Sequence, residues 1–587
     1  MLPLQQAYEV KGSILEFIRT TYRFKEPDVQ KAFYEFIEDP QHGLLKGPYV
    51  SLKAPFVSAP EGFRIPLEIK PGFPPYKHQI EAFEKLTTED GHLPQNTLIT
   101  TGTGSGKTEC FLYPVLDYCY RHIGEKGIKV IILYPMNALA TDQAKRLAET
   151  IYQDDRLRGK VTAGLFIGKG TDKKSFSQVM TEDGIIEDAR VIVSNPPDIV
   201  LTNFKMLDYG IMKAENASLW EHNIQNPGLL KFLILDELHT YDGAQGTDVA
   251  NLIRRLKLRI GIDRGSVCGI GTSATIGSGE ESKQLLCDYA SDVFGEVFLP
   301  ENVIEEHRVP ASELFQGKGE LYMPSQRALD HLVMREDESH DNYIRRQMDL
   351  WSVYAEDGEE KGLAIKETLS DYQIVRDLFG VCEESGIILV SDLIRKLSEW
   401  NASYASLEEK YKVEIIESLL ALIAEAKIKS GKIKIPFLPL QVQLWIRELS
   451  GIRRLVCEKP RFTWRSDQNT ADNIEAALPM YYCRECGASG WITTKSDMQE
   501  KFDTDGSAAA QAFMSRSTKV WLLNTLSDAH KPDEKAGFNI IQKRVKKDTL
   551  DIVPHLDPDE SQMEIIACQR VEQNRGGHNR STHHCPE

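Results

Sequence analysis

A chain of 587 residues, 41% hydrophobic and 27% charged, is too long for one core and too ordinary in composition for a disordered or fibrous protein, so about three or four domains are expected. Its formal net charge of −17, from 70 basic and 87 acidic residues, excludes a global attraction to a phosphate backbone; any nucleic-acid contact must gather its basic residues locally. The opening MLPLQQAYEVKGSILEF lacks a secretory pattern, no run approaches the roughly 18 apolar residues of a membrane span, and ten cysteines are too few and scattered for a disulfide framework. The expected compartment is the cytoplasm, with no membrane partner.

Residues 1–60 are predicted as a helical leader, with Ile14, Phe17 and Ile18 on one apolar face and Phe33, Phe36 and Ile37 on another. Pro71, Pro74 and Pro75 then mark an extended linker. The segment 61–298 alternates strand and helix. The runs TLITT (97–101), KVIILYP (129–135), VTAGLFI (161–167), RVIVS (190–194), KFLILDE (231–237) and VCGIGTSAT (267–275) are predicted as strands. Helices are predicted over 107–122, 138–154 and 244–260. Near-continuous apolar strands separated by helices predict an α/β domain: a doubly wound parallel sheet covered on both faces, with ligands at the carboxyl ends of its strands. Residues 299–430 are charged and helical in period, a mostly helical insertion. Residues 431–587 form a mixed region, β-like at 432–465 and carrying paired cysteines.

The chemistry is concentrated in three strings. TGTGSGKT (Thr101, Gly102, Thr103, Gly104, Ser105, Gly106, Lys107, Thr108) lies between a strand and a helix, where backbone N–H groups cradle phosphates. The glycines let the backbone approach, Lys107 is expected at the β/γ-phosphates of ATP, and Thr108 is expected to ligate Mg²⁺. Thr101 stands where the strict phosphate-loop pattern has its first glycine. LILDELHT (233–240) follows: Asp236 is placed as the second Mg²⁺ ligand and Glu237 as the base that activates water. His239 is read as a coupling residue. In Thr272-Ser273-Ala274-Thr275, the hydroxyls of Ser273 and Thr275 can bond His239 and relay the nucleotide state.

This order of motifs resembles the DEAD/DEAH-box helicases of superfamily 2, whose motor domains are RecA-like. The resemblance implies an ATP-dependent nucleic-acid helicase or translocase, acting on DNA ahead of RNA. It gives Pro75-Tyr76-Lys77-His78-Gln79 the place of the adenine-recognition segment, with Gln79 reading the base and Tyr76 or Phe73 stacking on it. It gives Pro135 and Asn137, within Tyr134–Leu139, and Thr202 and Asn203, within Leu201–Phe204, the place of two nucleic-acid backbone contacts. The family's second motor domain brings an arginine finger, and no Q-x-x-G-R-x-G-R-like run occurs in 279–587. The chain is therefore expected to be the ATP-binding half of a longer protein, weakly active or inactive alone.

Cys483-Arg484-Glu485-Cys486-Gly487 is a C-x-x-C-G knuckle that points two thiolates at one metal; a redox pair would need a thioredoxin-like context that is missing. The string His583-His584-Cys585-Pro586-Glu587 reads as the start of a second pair, making Cys483, Cys486 and Cys585 expected zinc ligands, with Cys568 or His584 as substitutes. The alternative is two buried thiols. The layout is similar to large bacterial zinc-containing helicases, some belonging to phage defence, which implies other defence subunits as partners. The rival reading is a nucleotide-gated binding or assembly subunit of such a complex, without unwinding.

Overall fold

The apolar runs between residues 97 and 305 lie side by side as seven parallel strands in a computed structural model. It describes residues 2–60, 62–102, 104–168, 176–273, 279–335, 337–355, 360–430, 433–467, 475–495, 500–515, 517, 519–526, 538–554 and 559–570. The chain divides into two units. One comprises Ala54–Leu314 with Lys429–Ile435, the other Met1–Lys53, Phe315–Ile428 and Pro436–Glu587.

The first unit holds the parallel sheet: β1 Thr97–Thr100, β2 Val130–Leu133, β3 Ala163–Phe166, β4 Ile199–Thr202, β5 Phe232–Leu235, β6 Cys268–Ser273 and β7 Val303–Glu305, in the order β3-β4-β2-β5-β6-β1-β7. Its helices include α1 Lys77–Leu86, α2 Lys107–Arg121, α3 Asn137–Gln153, α4 Phe204–Met212, α5 Gly243–Ile260 and α6 Glu280–Phe294. Successive strand residues point to opposite faces, and here both faces are dry. Ile99, Ile132, Ile234 and Ile270 join a core with Phe111, Val115 and Leu147 of α2 and α3. Their neighbours Leu98, Ile131, Leu133, Leu233 and Leu235 join the opposite core with Leu252, Leu256 and Val293 of α5 and α6. This is the expected doubly wound fold, RecA-like in its layout.

One predicted strand is a helix. RVIVS falls in the six-residue helix Ala189–Ser194, where Asp188 accepts the Arg190 N–H and Ile192 is buried on the inner side. The β-branched run fits a short helix once its start is capped. The strand forms instead after Pro196-Pro197, as β4.

The second unit contains the leader helices Pro3–Thr21 and Pro27–Glu38, each with proline in the first turn, where no intrahelical N–H bond is lost. Val29, Phe33 and Ile37 are buried; of the first face Ile18 is buried while Phe17 is exposed. Leu45–Leu52 is a strand, antiparallel to Leu440–Ile446. Helices recur between His340 and Glu425, and an eight-stranded antiparallel sheet is built from strands between Ile452 and Arg570. Among the described residues no helix is long and apolar enough to cross a membrane.

Two glycines on β6 set the spacing at the functional edge. A Cβ at Gly271 would lie 2.8 Å from Leu98 Cδ2 and 2.9 Å from Leu238 Cδ2. The absent side chain lets Leu238 seat against β6 and thereby fixes the residues on either side of it, Glu237 and His239. Gly271→Val is expected to overpack this contact and cost about 1–3 kcal/mol, read as a fall in thermal midpoint; a midpoint equal to that of the unsubstituted protein would contradict the packing argument.

Candidate functional site

The carboxyl ends of β5, β6 and β1 are adjacent, with Leu235 opposite Gly271 and Thr100 opposite Ser273 in register. The loop leaving β1 bends through left-handed Gly104 (φ 80°) and Gly106 (φ 77°), a region that penalises any Cβ, before α2 begins at Lys107. A Cβ at Gly106 would also stand 2.4 Å from Gln79 Nε2. The loop is tied internally by Thr101 Oγ1 and Ser105 Oγ at 2.6 Å and by Ser105 N–H donating to Gly102 O at 3.3 Å. From behind, His78 Nε2–H donates to Ser105 O at 2.9 Å and Gln79 Nε2 donates to Gly106 O at 3.3 Å. His78 is fully buried, and burial holds its pKa below the ordinary histidine value, so the ring is a neutral donor at this contact. With the Gly102, Ser105 and Gly106 carbonyls engaged, the N–H groups of the first turn of α2, which have no intrahelical acceptor, form an anion cradle. Thr103 lies outside the described residues; Thr108 is half-buried on the first turn.

Asp236 follows β5. Its N–H donates to Leu133 O at 3.0 Å, and its carboxylate accepts the Thr272 hydroxyl. The same hydroxyl accepts the Glu237 N–H at 3.0 Å, so Thr272 orients both acids. Burial raises the Asp236 pKa above its ordinary value; the Thr272 hydrogen bond opposes this, Glu237 adds to it, and Lys107 opposes it. Glu237 sits in a left-handed turn (φ 50°). Its Oε1 is 3.5 Å from Lys107 Nζ and its Oε2 is 3.5 Å from His239 Nδ1, which in turn is 3.2 Å from Ser273 Oγ. Phosphate loop, both acids, His239 and Ser273 are thus one connected cluster. Thr275 lies outside the described residues. An acid pair beside a phosphate cradle, one member desolvated, is donor chemistry that fits a divalent cation.

In the adenine-recognition segment, Tyr76 packs between Phe56 and His78, with ring centroids 5.0 and 5.6 Å away. Its N–H donates to Gln79 Oε1 at 2.9 Å, so both ends of the Gln79 amide are engaged and the residue is 1% exposed. Phe73 is 42% exposed and meets Tyr113 edge-on, leaving a ring face for stacking.

The two backbone-contact segments converge. Asn203 caps α4 by accepting the Met206 N–H at 2.9 Å, and its Nδ2 donates to Asn137 Oδ1, at the first turn of α3, at 2.6 Å. Pro135 is half-buried beside them. Thr202 is fully buried and donates to Phe166 O at 2.6 Å.

Cys483 and Cys486 sit on the turn between strands Ala477–Tyr482 and Ser489–Thr494, closed by Gly487 N–H to Cys483 O and Cys483 N–H to Ala488 O, both 2.9 Å. Cys568 is buried within the strand Gln562–Arg570. Cys585 and His584 lie outside the described residues, and among the described residues no group of three or more His, Cys, Asp or Glu side chains is placed to hold a metal. Two residues that organise the loop had no part assigned from sequence: His78, quoted within its motif, and Glu306, whose position after a short strand carries no signal.

Residues 76–283 match the DEAD/DEAH box helicase family. The chain is 29% identical to Druantia protein DruE of Escherichia coli (strain UMEA 4076-1), over 38% of this chain and 17% of that protein. It is 35% identical to the uncharacterized ATP-dependent helicase YprA of Bacillus subtilis (strain 168), over 35% of this chain and 23% of that protein. The matched part thus spans under a quarter of either relative. Among solved structures it is similar to the DUF1998 helicase MrfA bound to DNA, with 25% identity, a TM-score of 0.31, and coverage of 44% of this chain and 32% of that one.

The burial of Asp236 makes a signed prediction. Its native pKa lies above the unfolded value, so the stability of the nucleotide-free protein falls as pH rises from the unfolded value through the native one. Asp236→Asn is expected to raise the thermal midpoint of the nucleotide-free protein at neutral pH, with the gain shrinking on acidification, while Mg²⁺·ATP affinity is lost. A lower midpoint together with retained Mg²⁺·ATP affinity would show that the carboxylate is there for the fold.

Proposed function

With residues 76–283 a DEAD/DEAH box helicase domain, we propose that the protein hydrolyses ATP to move along, or separate the strands of, a nucleic acid, DNA ahead of RNA. The observation that carries this reading is Glu237, whose carboxylate faces the phosphate-loop lysine on one side and His239 with Ser273 on the other. The residue that would activate water is therefore also the one through which the state of the nucleotide reaches the neighbouring strand end. Lys107 and the first turn of α2 bind the phosphates, Glu237 takes a proton from the attacking water, and Phe73 offers a ring face to the base. Thr108 and Asp236 would hold Mg²⁺, which would neutralise charge on the phosphates when bound. The convergence of Asn137 and Asn203 at the starts of α3 and α4 supports a grip on backbone phosphate, with little base preference. Cys483 and Cys486 supply two thiolates toward zinc in this reading, and the likeness to a Druantia protein supports a place beside other subunits in phage defence.

Two substitutions separate binding from chemistry. Lys107→Ala is expected to abolish Mg²⁺·ATP binding by calorimetry, whereas Glu237→Gln keeps it and loses turnover by on the order of 10²-fold or more. Equal turnover in the Glu237→Gln protein would remove Glu237 as the base and with it the reading.

A third tests the strand contact. Asn203→Asp keeps an acceptor for the Met206 N–H, so α4 stays capped, but sets a negative charge where phosphate would bind. Affinity for single-stranded DNA and for RNA of matching sequence is expected to fall roughly tenfold at low salt, with the thermal midpoint lowered by no more than the loss of the exposed Asn203–Asn137 hydrogen bond. Unaltered affinity for both would place the strand elsewhere.

A further inference from the structure

The phosphate loop has a handhold that none of its motifs includes. β7 ends beside β1, with Glu305 opposite Thr100. The next residue, Glu306, turns its carboxylate onto the start of the loop: Gly102 N–H donates to Glu306 Oε2 at 2.8 Å. A Cβ at Gly102 would stand 3.0 Å from that oxygen, so glycine and carboxylate are fitted to each other. The other carboxylate oxygen accepts from Arg308 Nε at 2.7 Å. Arg308 is fixed in turn by donating to Ala54 O at 2.5 Å and by lying over the Phe56 ring, 4.2 Å from its centroid. Phe56 packs edge-on against His78, with centroids 5.4 Å apart, and His78 holds Ser105 O from the far end of the loop. The two pins, one at Gly102 and one at Ser105, therefore share a single buttress, Arg308 on Phe56.

We propose that Glu306 is a positioning residue for nucleotide binding: backed by Arg308, it holds the start of the phosphate loop in its phosphate-receiving shape before the nucleotide arrives. The proposal rests on the nucleotide-site reading above. A loop ordered in advance loses less conformational freedom when phosphate binds, which is affinity gained without a new contact. A bare carboxylate beside a polyphosphate would repel it; the Arg308 guanidinium on the second oxygen offsets that charge.

Hydrogen–deuterium exchange of the peptide spanning 98–108, with no nucleotide present, reads the contact directly, and calorimetry with Mg²⁺·ATP reads its consequence. The whole protein is expected to protect this peptide. Glu306→Ala is expected to speed its exchange and weaken ATP binding, each by about tenfold or more, the loss of one charge-assisted hydrogen bond. Glu306→Gln keeps one acceptor oxygen for the Gly102 N–H but turns an NH2 group toward Arg308 Nε–H, so it is expected to restore both in part. Lys107→Ala is expected to lose ATP while leaving the exchange slow, which separates failure of this proposal from failure of the nucleotide-site reading. The proposal is overturned if Glu306→Ala matches the unsubstituted protein in both readings, or if Glu306→Gln is as impaired as Glu306→Ala. Should Glu306→Ala not fold, the unsubstituted protein decides alone: exchange of the 98–108 peptide at the rate of an exposed loop overturns it.

Discussion

A desolvated carboxylate at the carboxyl end of a central parallel strand is the constraint from which the rest of the site follows. Removing a charge from water costs several kcal/mol unless it is matched, and Asp236 is met by the Thr272 hydroxyl, the Glu237 backbone N–H and the field of Lys107. Glu237 beside it makes the balance worse. An arrangement this short of positive charge is poised for a cation, and the glycine-lined loop opposite is poised for the anion that the cation accompanies. Neither half is balanced alone. The fold tolerates the imbalance because the flanking strands β2 and β6 are buried on both faces and hold the carboxyl ends in fixed register.

Close packing then carries information sideways. Gly271 lets Leu238 down onto β6, which sets Glu237 and His239 on either side of a buried anchor. Thr272 orients the acids and Ser273 meets His239, so consecutive residues of one strand address the chemistry and its relay. Any change in what Glu237 faces across the gap to Lys107 alters the charge next to His239. This is a physical path of contacts a few ångströms long, and it needs no remote rearrangement to begin.

Legibility in the sequence followed the strength of local physics. The apolar strands were readable because both faces are covered, leaving runs without alternation, and the phosphate loop was readable because only glycine suits its backbone. RVIVS misled because β-branched composition suggests a strand, while the Asp188 cap and the prolines that follow decide the element. Thr202 was readable as part of a segment but not by side-chain direction, which the short strand β4 turns inward. Gln79 was read as a base contact, and its amide spans from the Tyr76 N–H to the Gly106 carbonyl. Glu306 had no signal at all: its partner lies 204 residues away and is a backbone N–H, which no side-chain pattern records. The leader strand Leu45–Leu52 was hidden for the same reason, since its partner Leu440–Ile446 is remote in sequence.

We propose the Asp236–Glu237 acid cluster as the seat of a divalent cation that arrives with a polyphosphate. Calorimetric titration of ATP into the protein, once with Mg²⁺ and once with the cation chelated, tests it most directly. Mg²⁺ is expected to tighten binding by at least roughly tenfold, since without it the phosphates meet the Asp236 and Glu237 carboxylates with no cation between them. Equal affinity in the two titrations would contradict it.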